Sequence, residues 1–200
     1  MSRRWRAILI GACLVGMGLL IGLDRGVLAG RGTGRVERTR GQDTVRYHGK
    51  TFTVVRVVDG DTLDIDVADG DAPTTRVRLL GIDAPETRSA EGTPAFFATE
   101  ATARARTLVE GAEVTVYLNE GGDSRGKYGR LLAYLEMSDG RFVNEVLLSE
   151  GYVYADLRFR HGYYQRYQQL ESGARALSKG LWSEVSPEQW PAWRQRMKGH

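Results

Sequence analysis

Residues 51–67 read Thr-Phe-Thr-Val-Val-Arg-Val-Val-Asp-Gly-Asp-Thr-Leu-Asp-Ile-Asp-Val. Thr51 to Val58 is β-branched and apolar apart from one arginine, the composition of a strand. Asp59-Gly60-Asp61-Thr62 interrupts it with turn-forming residues. Leu63 to Val67 then alternates apolar with acidic, the period of a half-buried strand. Asp69-Gly70-Asp71 turns the chain again, and residues 75–82 (TRVRLLGI) form a third strand. Farther out, residues 94–110 place Phe97, Ala101, Ala105 and Leu108 on one helical face. Residues 114–118 and 131–137 are two more strands, and Ser138-Asp139-Gly140 turns the chain after the second. Residues 142–150 form a short helix stopped by Gly151, and residues 163–177 a last helix stopped by Gly180. Five short strands with about three helices predict an α+β, mainly β domain on a small closed barrel of the oligonucleotide-binding type, the OB-fold.

The two ends read differently. Ser2-Arg3-Arg4-Trp5-Arg6 is basic, Ala7 to Leu23 carries no charge, and Val27-Leu28-Ala29 offers small residues where a signal peptidase reads. This is the order of an export leader. The run is long for a cleaved signal and short for a spanning helix, so residues 1–29 stand as a signal peptide or a signal anchor, with a membrane contact through residues 7–23. Either reading places the protein outside the cytoplasm: secreted, periplasmic or anchored to the outer face of the membrane. Residues 30–50 are Gly/Arg-rich and read as a solvated linker. Residues 51–183 form the domain. Residues 184–200 are a tail holding Trp190, Trp193, Arg194 and Arg196, expected to strap its tryptophans onto the barrel. Cys13, in the leader, is the only cysteine, so the domain is stabilised without a disulfide.

The formal charge of +3 is carried by the N-terminal segments. Residues 30–50 hold six basic and two acidic residues, whereas residues 51–200 hold 18 basic and 22 acidic, a net −4. Bulk electrostatics therefore do not argue for nucleic-acid binding. Any phosphate must be held by a local site.

Carboxylates stand at strand ends: Asp59 and Asp61 in DGDT, Asp83 in GIDAPE, and Glu86 three residues on. Arg78 and Arg130 lie in nearby motifs. Hard oxygen ligands suit Ca²⁺, a further carboxylate can act on water, and arginines pair with phosphate oxygens. The three histidines are scattered, which argues against a zinc site. No Gly-rich phosphate loop ending in Lys-Ser/Thr is present. Taken singly, each Asp-Gly pair is a turn.

Three ordered segments, residues 54–65 (VVRVVDGDTLDI), 75–87 (TRVRLLGIDAPET) and 125–135 (RGKYGRLLAYL), resemble the signatures of the staphylococcal nuclease (thermonuclease) family. Residues 142–155 and 178–183 are similar to it as well. The resemblance implies a five-stranded OB barrel with three helices and Ca²⁺-dependent endonucleolytic cleavage of DNA and RNA to 3′-phosphate ends. It implies Asp61 and Asp83 as metal ligands, with Asp59 as their outer partner. Glu86 would be the general base on water, and Arg78 and Arg130 would neutralise the phosphate. Lys127 and Tyr128 would contact the nucleotide. Phe159, in a loop that departs from the family pattern, is the candidate for stacking, with Arg158 or Arg160 for a phosphate. The expected substrate is single-stranded DNA or RNA, and the expected state a monomer. A barrel of the same fold that binds nucleic acid without cutting it is the alternative.

Overall fold

The computed structural model describes residues 33–87 and 92–198. The leader expected over residues 1–29 lies outside the described residues. Among those described, no helix is long and apolar enough to cross a membrane.

In chain order the elements are α1 (Thr33–Tyr47), β1 (Lys50–Asp59), β2 (Thr62–Ile65), β3 (Thr75–Leu79), β4 (Ile82–Asp83), α2 (Ala98–Val109), β5 (Glu113–Leu118), β6 (Leu131–Met137), α3 (Val143–Ser149), β7 (Tyr154–Ala155), α4 (Tyr164–Ala176) and α5 (Ala192–Lys198). Two 3₁₀ turns, Gly180–Ser183 and Pro187–Gln189, lead into α5. Strands β1-β2-β3-β6-β5 close into a barrel, with β3 parallel to β6 and every other pair antiparallel. This is the expected OB barrel. Val54, Val57, Leu63, Ile65, Val77, Leu79, Leu131 and Leu135 fill it and are essentially inaccessible. Each such side chain contributes about 1.5–3 kcal/mol by leaving water. Helix α2 packs on β1, and α3 packs on β6 and α4. The small β4–β7 sheet lies outside the barrel strands.

Two local expectations are corrected. The alternation from Leu63 predicts acidic side chains facing water, yet all of β2 is buried, Asp64 included. The register explains this: Arg56 of β1 and Arg76 of β3 both stand opposite Asp64. They reach its carboxylate at 2.7 and 2.8 Å. Burial alone would raise the Asp64 pKa, but hydrogen bonds from the two arginines outweigh it and hold the group below its usual value.

The second correction concerns residues 30–50. Residues 33–47 are helical where a linker was expected. The last turn is anchored by Tyr47, fully buried with its hydroxyl 3.0 Å from Thr75 Oγ1, and by buried Asp43, which accepts Arg125 Nη2 at 2.7 Å. Among the described residues the three expected helices are present as α2, α3 and α4, and α1 and α5 are added to them.

Candidate active site

The site begins at the β1–β2 turn. A Cβ on Gly60 would lie 2.8 Å from the Ala84 Cβ and 3.0 Å from that of Ala101, so only glycine lets this turn press against the chain after β4 and against α2. Asp59 Oδ1 accepts the Asp61 N–H at 3.1 Å and shapes the turn. Asp61, 7% exposed, accepts the Ala84 N–H on Oδ2 at 2.7 Å and the Thr62 hydroxyl on Oδ1 at 2.9 Å. Opposite Thr62 on β3 stands Arg78. Its Nη1 donates to the Leu79 and Ile82 carbonyls at 2.9 and 2.7 Å. Its Nη2 lies 3.1 Å from Asp61 Oδ2 and 3.0 Å from Asp83 Oδ1. One guanidinium therefore ties β3, β4 and both carboxylates together.

Asp83 is held from behind as well. Its backbone pairs with Tyr154 of β7. Arg158, in the loop after β7, donates to Asp83 Oδ1 at 2.8 Å and to Asp156 at 2.8 and 2.9 Å. The Trp193 indole N–H of α5 donates to Asp83 Oδ2 at 2.8 Å. Sequence reasoning treated Trp193 only as packing and Arg158 as a phosphate contact. The signal available for Trp193 was an aromatic, arginine-rich tail.

Charge is crowded here. Burial pushes Asp61 up to about 6, with Asp59 adding to the rise and Arg78 and the two hydrogen bonds offsetting it. Burial likewise raises Asp83, against the pull of Arg78, the Trp193 hydrogen bond and Arg158. Glu86, exposed at the rim, is raised by partial desolvation and then by the charges of Asp61 and Asp83. Three carboxylates thus share a site whose arginines do not fully neutralise them. An added cation is the simplest remedy.

Arg130 opens β6's approach, with Nη1 3.5 Å from the Thr62 hydroxyl, and its buried Nε has no hydrogen-bond partner among the described residues. Its guanidinium sits 5.9 Å from the ring of Tyr128, which is 76% exposed. Lys127 is exposed on the same loop, 5.4 Å from that ring. Phe159 is 64% exposed, with the guanidinium of its neighbour Arg158 5.8 Å from its ring. Arg160 lies over Tyr164 at 4.1 Å. The structure thus gathers Asp59, Asp61, Arg78, Asp83, Glu86 and Arg130 in one place, whereas Lys127, Tyr128 and Phe159 stand at its margin. A cavity of about 420 Å³, lined among others by Asp83, Glu86, Arg158, Trp190, Trp193 and Arg196, runs from the carboxylates to the C-terminal segment.

Residues 76–184 match the family model described as staphylococcal nuclease homologue. An uncharacterized endonuclease of Escherichia coli is 34% identical over 155 residues, covering 74% of this chain and 86% of that protein. The chain belongs to the staphylococcal nuclease family. Thermonuclease of Staphylococcus hyicus is 30% identical over 135 residues, 67% of this chain and 76% of its own. SPbeta prophage-derived endonuclease YokF of Bacillus subtilis is 35% identical over 137 residues, and the match spans 66% of this chain but only 44% of that longer relative. Trp193 and the rest of α5 lie beyond the segment that matches the staphylococcal nuclease homologue model.

The Ca²⁺ that this family implies can be tested against the donors. Among the described residues no group of three or more His, Cys, Asp or Glu side chains forms a metal cage. Two carboxylates completed by carbonyl and water oxygens still make an acceptable set for a hard cation. Asp61 Oδ2 and Asp83 Oδ1 are each engaged by two donors. Asp61 Oδ1 and Asp83 Oδ2 each accept a single hydrogen bond among the described residues. Each keeps one lone-pair direction for a cation. The residues fit the ion.

Proposed function

We propose that this chain is an exported endonuclease that hydrolyses phosphodiester bonds of DNA and RNA with Ca²⁺, leaving 3′-phosphate ends. The observation that carries the reading is the Asp61–Arg78–Asp83 cluster, buried at Asp61 and half-buried at the other two, with Glu86 and Arg130 at its rim and excess negative charge at its centre. Asp61 and Asp83 would hold the ion, with Asp59 bracing the turn behind Asp61. When bound, the ion would supply neutralisation of charge on a phosphate oxygen.

The remaining roles fall to side chains. Glu86 takes a proton from water as its oxygen bonds to phosphorus, the bond to the 5′ oxygen breaks, and that oxygen takes a proton from solvent to leave as a 5′-hydroxyl. Arg130, whose Nη1 stands 3.5 Å from the Thr62 hydroxyl beside Asp61, donates to the phosphate as charge gathers on it. Arg78 already directs both terminal nitrogens at Asp61, Asp83 and two carbonyls, so its first contribution is to fix the carboxylates. Lys127, Tyr128 and Phe159, exposed at the margin, contact the sugar-phosphate chain and a base. Broad substrate use follows, because these groups read phosphate and not base edges. A flexible single strand brings a phosphate into the cleft more readily than a duplex does. The basic and apolar order of residues 2–29 supports export.

The test is incubation of the full chain with heat-denatured DNA and with RNA, in Ca²⁺ and in excess chelator, beside Glu86→Gln. Ca²⁺-dependent loss of both polymers, reduced about 10²–10⁴-fold in the variant, is the expected result. A folded protein that shifts labelled oligonucleotides and leaves them intact would replace this reading with a non-catalytic binding barrel.

A further inference from the structure

The C-terminal segment lies outside the family match yet reaches the centre of the site. It is firmly attached: buried Arg194 forms two hydrogen bonds with Glu171 of α4 at 2.8 and 2.7 Å. The same Glu171 accepts the Ala155 N–H of β7 at 2.9 Å. Because β7 pairs with β4 at Asp83, one connected set of bonds runs from α5 through Glu171 and β7 to the backbone of Asp83. Trp193, 7% exposed beside Tyr154 and Leu181, closes that loop through its side chain. Its ring also lies 5.0 Å from the Arg158 guanidinium, so the two groups that grip Asp83 support one another.

We propose that Trp193 is a positioning residue for Asp83, and that residues 187–198 form a strap which presents the Asp83 carboxylate to the cation. The proposal rests on the Ca²⁺ reading above. Arg78 and Arg158 occupy Oδ1, so the plane of the carboxylate is set by what Oδ2 touches. The indole N–H at 2.8 Å sets it and leaves the second lone pair of Oδ2 available. A carboxylate held in one rotamer binds a metal without the entropic cost of being ordered, and partners of this kind typically change metal affinity about 10–100-fold.

The experiment measures Ca²⁺ binding by calorimetry in the full chain, with no nucleic acid present. It compares wild type, Trp193→Phe, which keeps an aromatic ring and removes the N–H, and Trp182→Phe, which removes an indole with no bond to Asp83. Trp193→Phe should bind Ca²⁺ about 10-fold more weakly while remaining folded in chelator, and Trp182→Phe should bind at wild-type affinity. At saturating Ca²⁺ its kcat should recover and its KM for single-stranded DNA should equal the wild-type value. In wild type, the Trp193 indole N–H resonance, assigned through its own backbone connectivities, should shift on Ca²⁺ addition. That measurement needs no variant to fold well. Equal affinity with an unmoved resonance would overturn the proposal. Tighter binding in Trp193→Phe would also overturn it, making Trp193 a cap that the ion must displace. A wild-type protein that binds no Ca²⁺ would remove the metal reading itself, an outcome distinct from both.

Discussion

Asp61 carries a charge that the metal-free protein accommodates poorly. Its rise from 3.8 to about 6 corresponds to a penalty of about 3 kcal/mol on the ionised form at neutral pH. Asp61→Asn keeps an acceptor for the Ala84 N–H and gives up the Arg78 ion pair. We therefore expect the variant to be more stable than wild type in chelator at pH 7, by about 1–2 kcal/mol in denaturant unfolding, with no further gain on adding Ca²⁺. The sign follows from protons: folded Asp61 holds its proton to higher pH than unfolded Asp61, so the wild-type penalty is absent below about pH 4, grows as pH rises from about 4 to about 6, and is fully present above that. A variant destabilised in chelator at pH 7 would mean that the Arg78 pair outweighs burial. Glu86 supplies a kinetic counterpart. Its pKa is raised in the metal-free protein, by partial desolvation and then by the charges of Asp61 and Asp83, and as the proposed base it must be ionised, so kcat/KM at saturating Ca²⁺ should rise from acid toward neutral pH. Activity that peaks below about pH 5, near the reference carboxylate pKa values, would remove Glu86 from the role of base. Residues of this kind were legible in the sequence because DGDT, RVR, GIDAPE and KYGR are local patterns. Arg158 and Trp193 were not, since their common partner Asp83 is 75 and 110 residues away.

Among the elements, α1 shows where reading by composition fails. Residues 33–47 contain few apolar groups, and nothing in their spacing announces a buried face. The helix is held by its end: Asp43 and Tyr47 dock onto Arg125 and Thr75, partners visible only once the barrel has formed. Arg125 also pairs with Asp69 in the β2–β3 loop, and these carboxylates keep its guanidinium protonated far above the usual range. Arg125→Leu would leave Asp43, 6% exposed at its side chain, buried without its cation. The expected cost is about 3 kcal/mol in denaturant unfolding, with faster amide exchange across Asp43–Tyr47 and the barrel strands still protected. Exchange unchanged in that turn would show that Tyr47 alone anchors α1. The β2 strand missed in the opposite direction. Its period was read correctly, but the solvent face assigned to Asp64 is roofed by arginines from both neighbouring strands, a cross-strand pairing that no single-strand pattern contains.

For the molecule as a whole, the question is how a domain with a net charge of −4 over residues 51–200 engages a polyanion. Its cations are mostly spent internally: Arg56 and Arg76 on Asp64, Arg78 and Arg158 on Asp83, Arg125 on Asp43, Arg194 on Glu171. Among site residues, Arg130 keeps a buried Nε without a partner among the described residues, and Lys127 stands exposed nearby. A substrate phosphate should therefore meet about two protein cations plus the metal, not a basic surface. For single strands the logarithm of affinity falls with the logarithm of salt at about −0.7 per phosphate neutralised. Glu86→Gln, binding single-stranded DNA in fixed Ca²⁺ with KCl varied, should then give a slope of about −1.4 to −2. Replacing Arg31, Arg35, Arg38 and Arg40 with glutamine should leave that slope unchanged, because binding is assigned to the cleft and not to the arginine-rich N-terminal segment. A slope of about −4 or steeper, flattened by those replacements, would instead make that segment a nucleic-acid tether, and the charge division between it and the domain would be part of substrate capture.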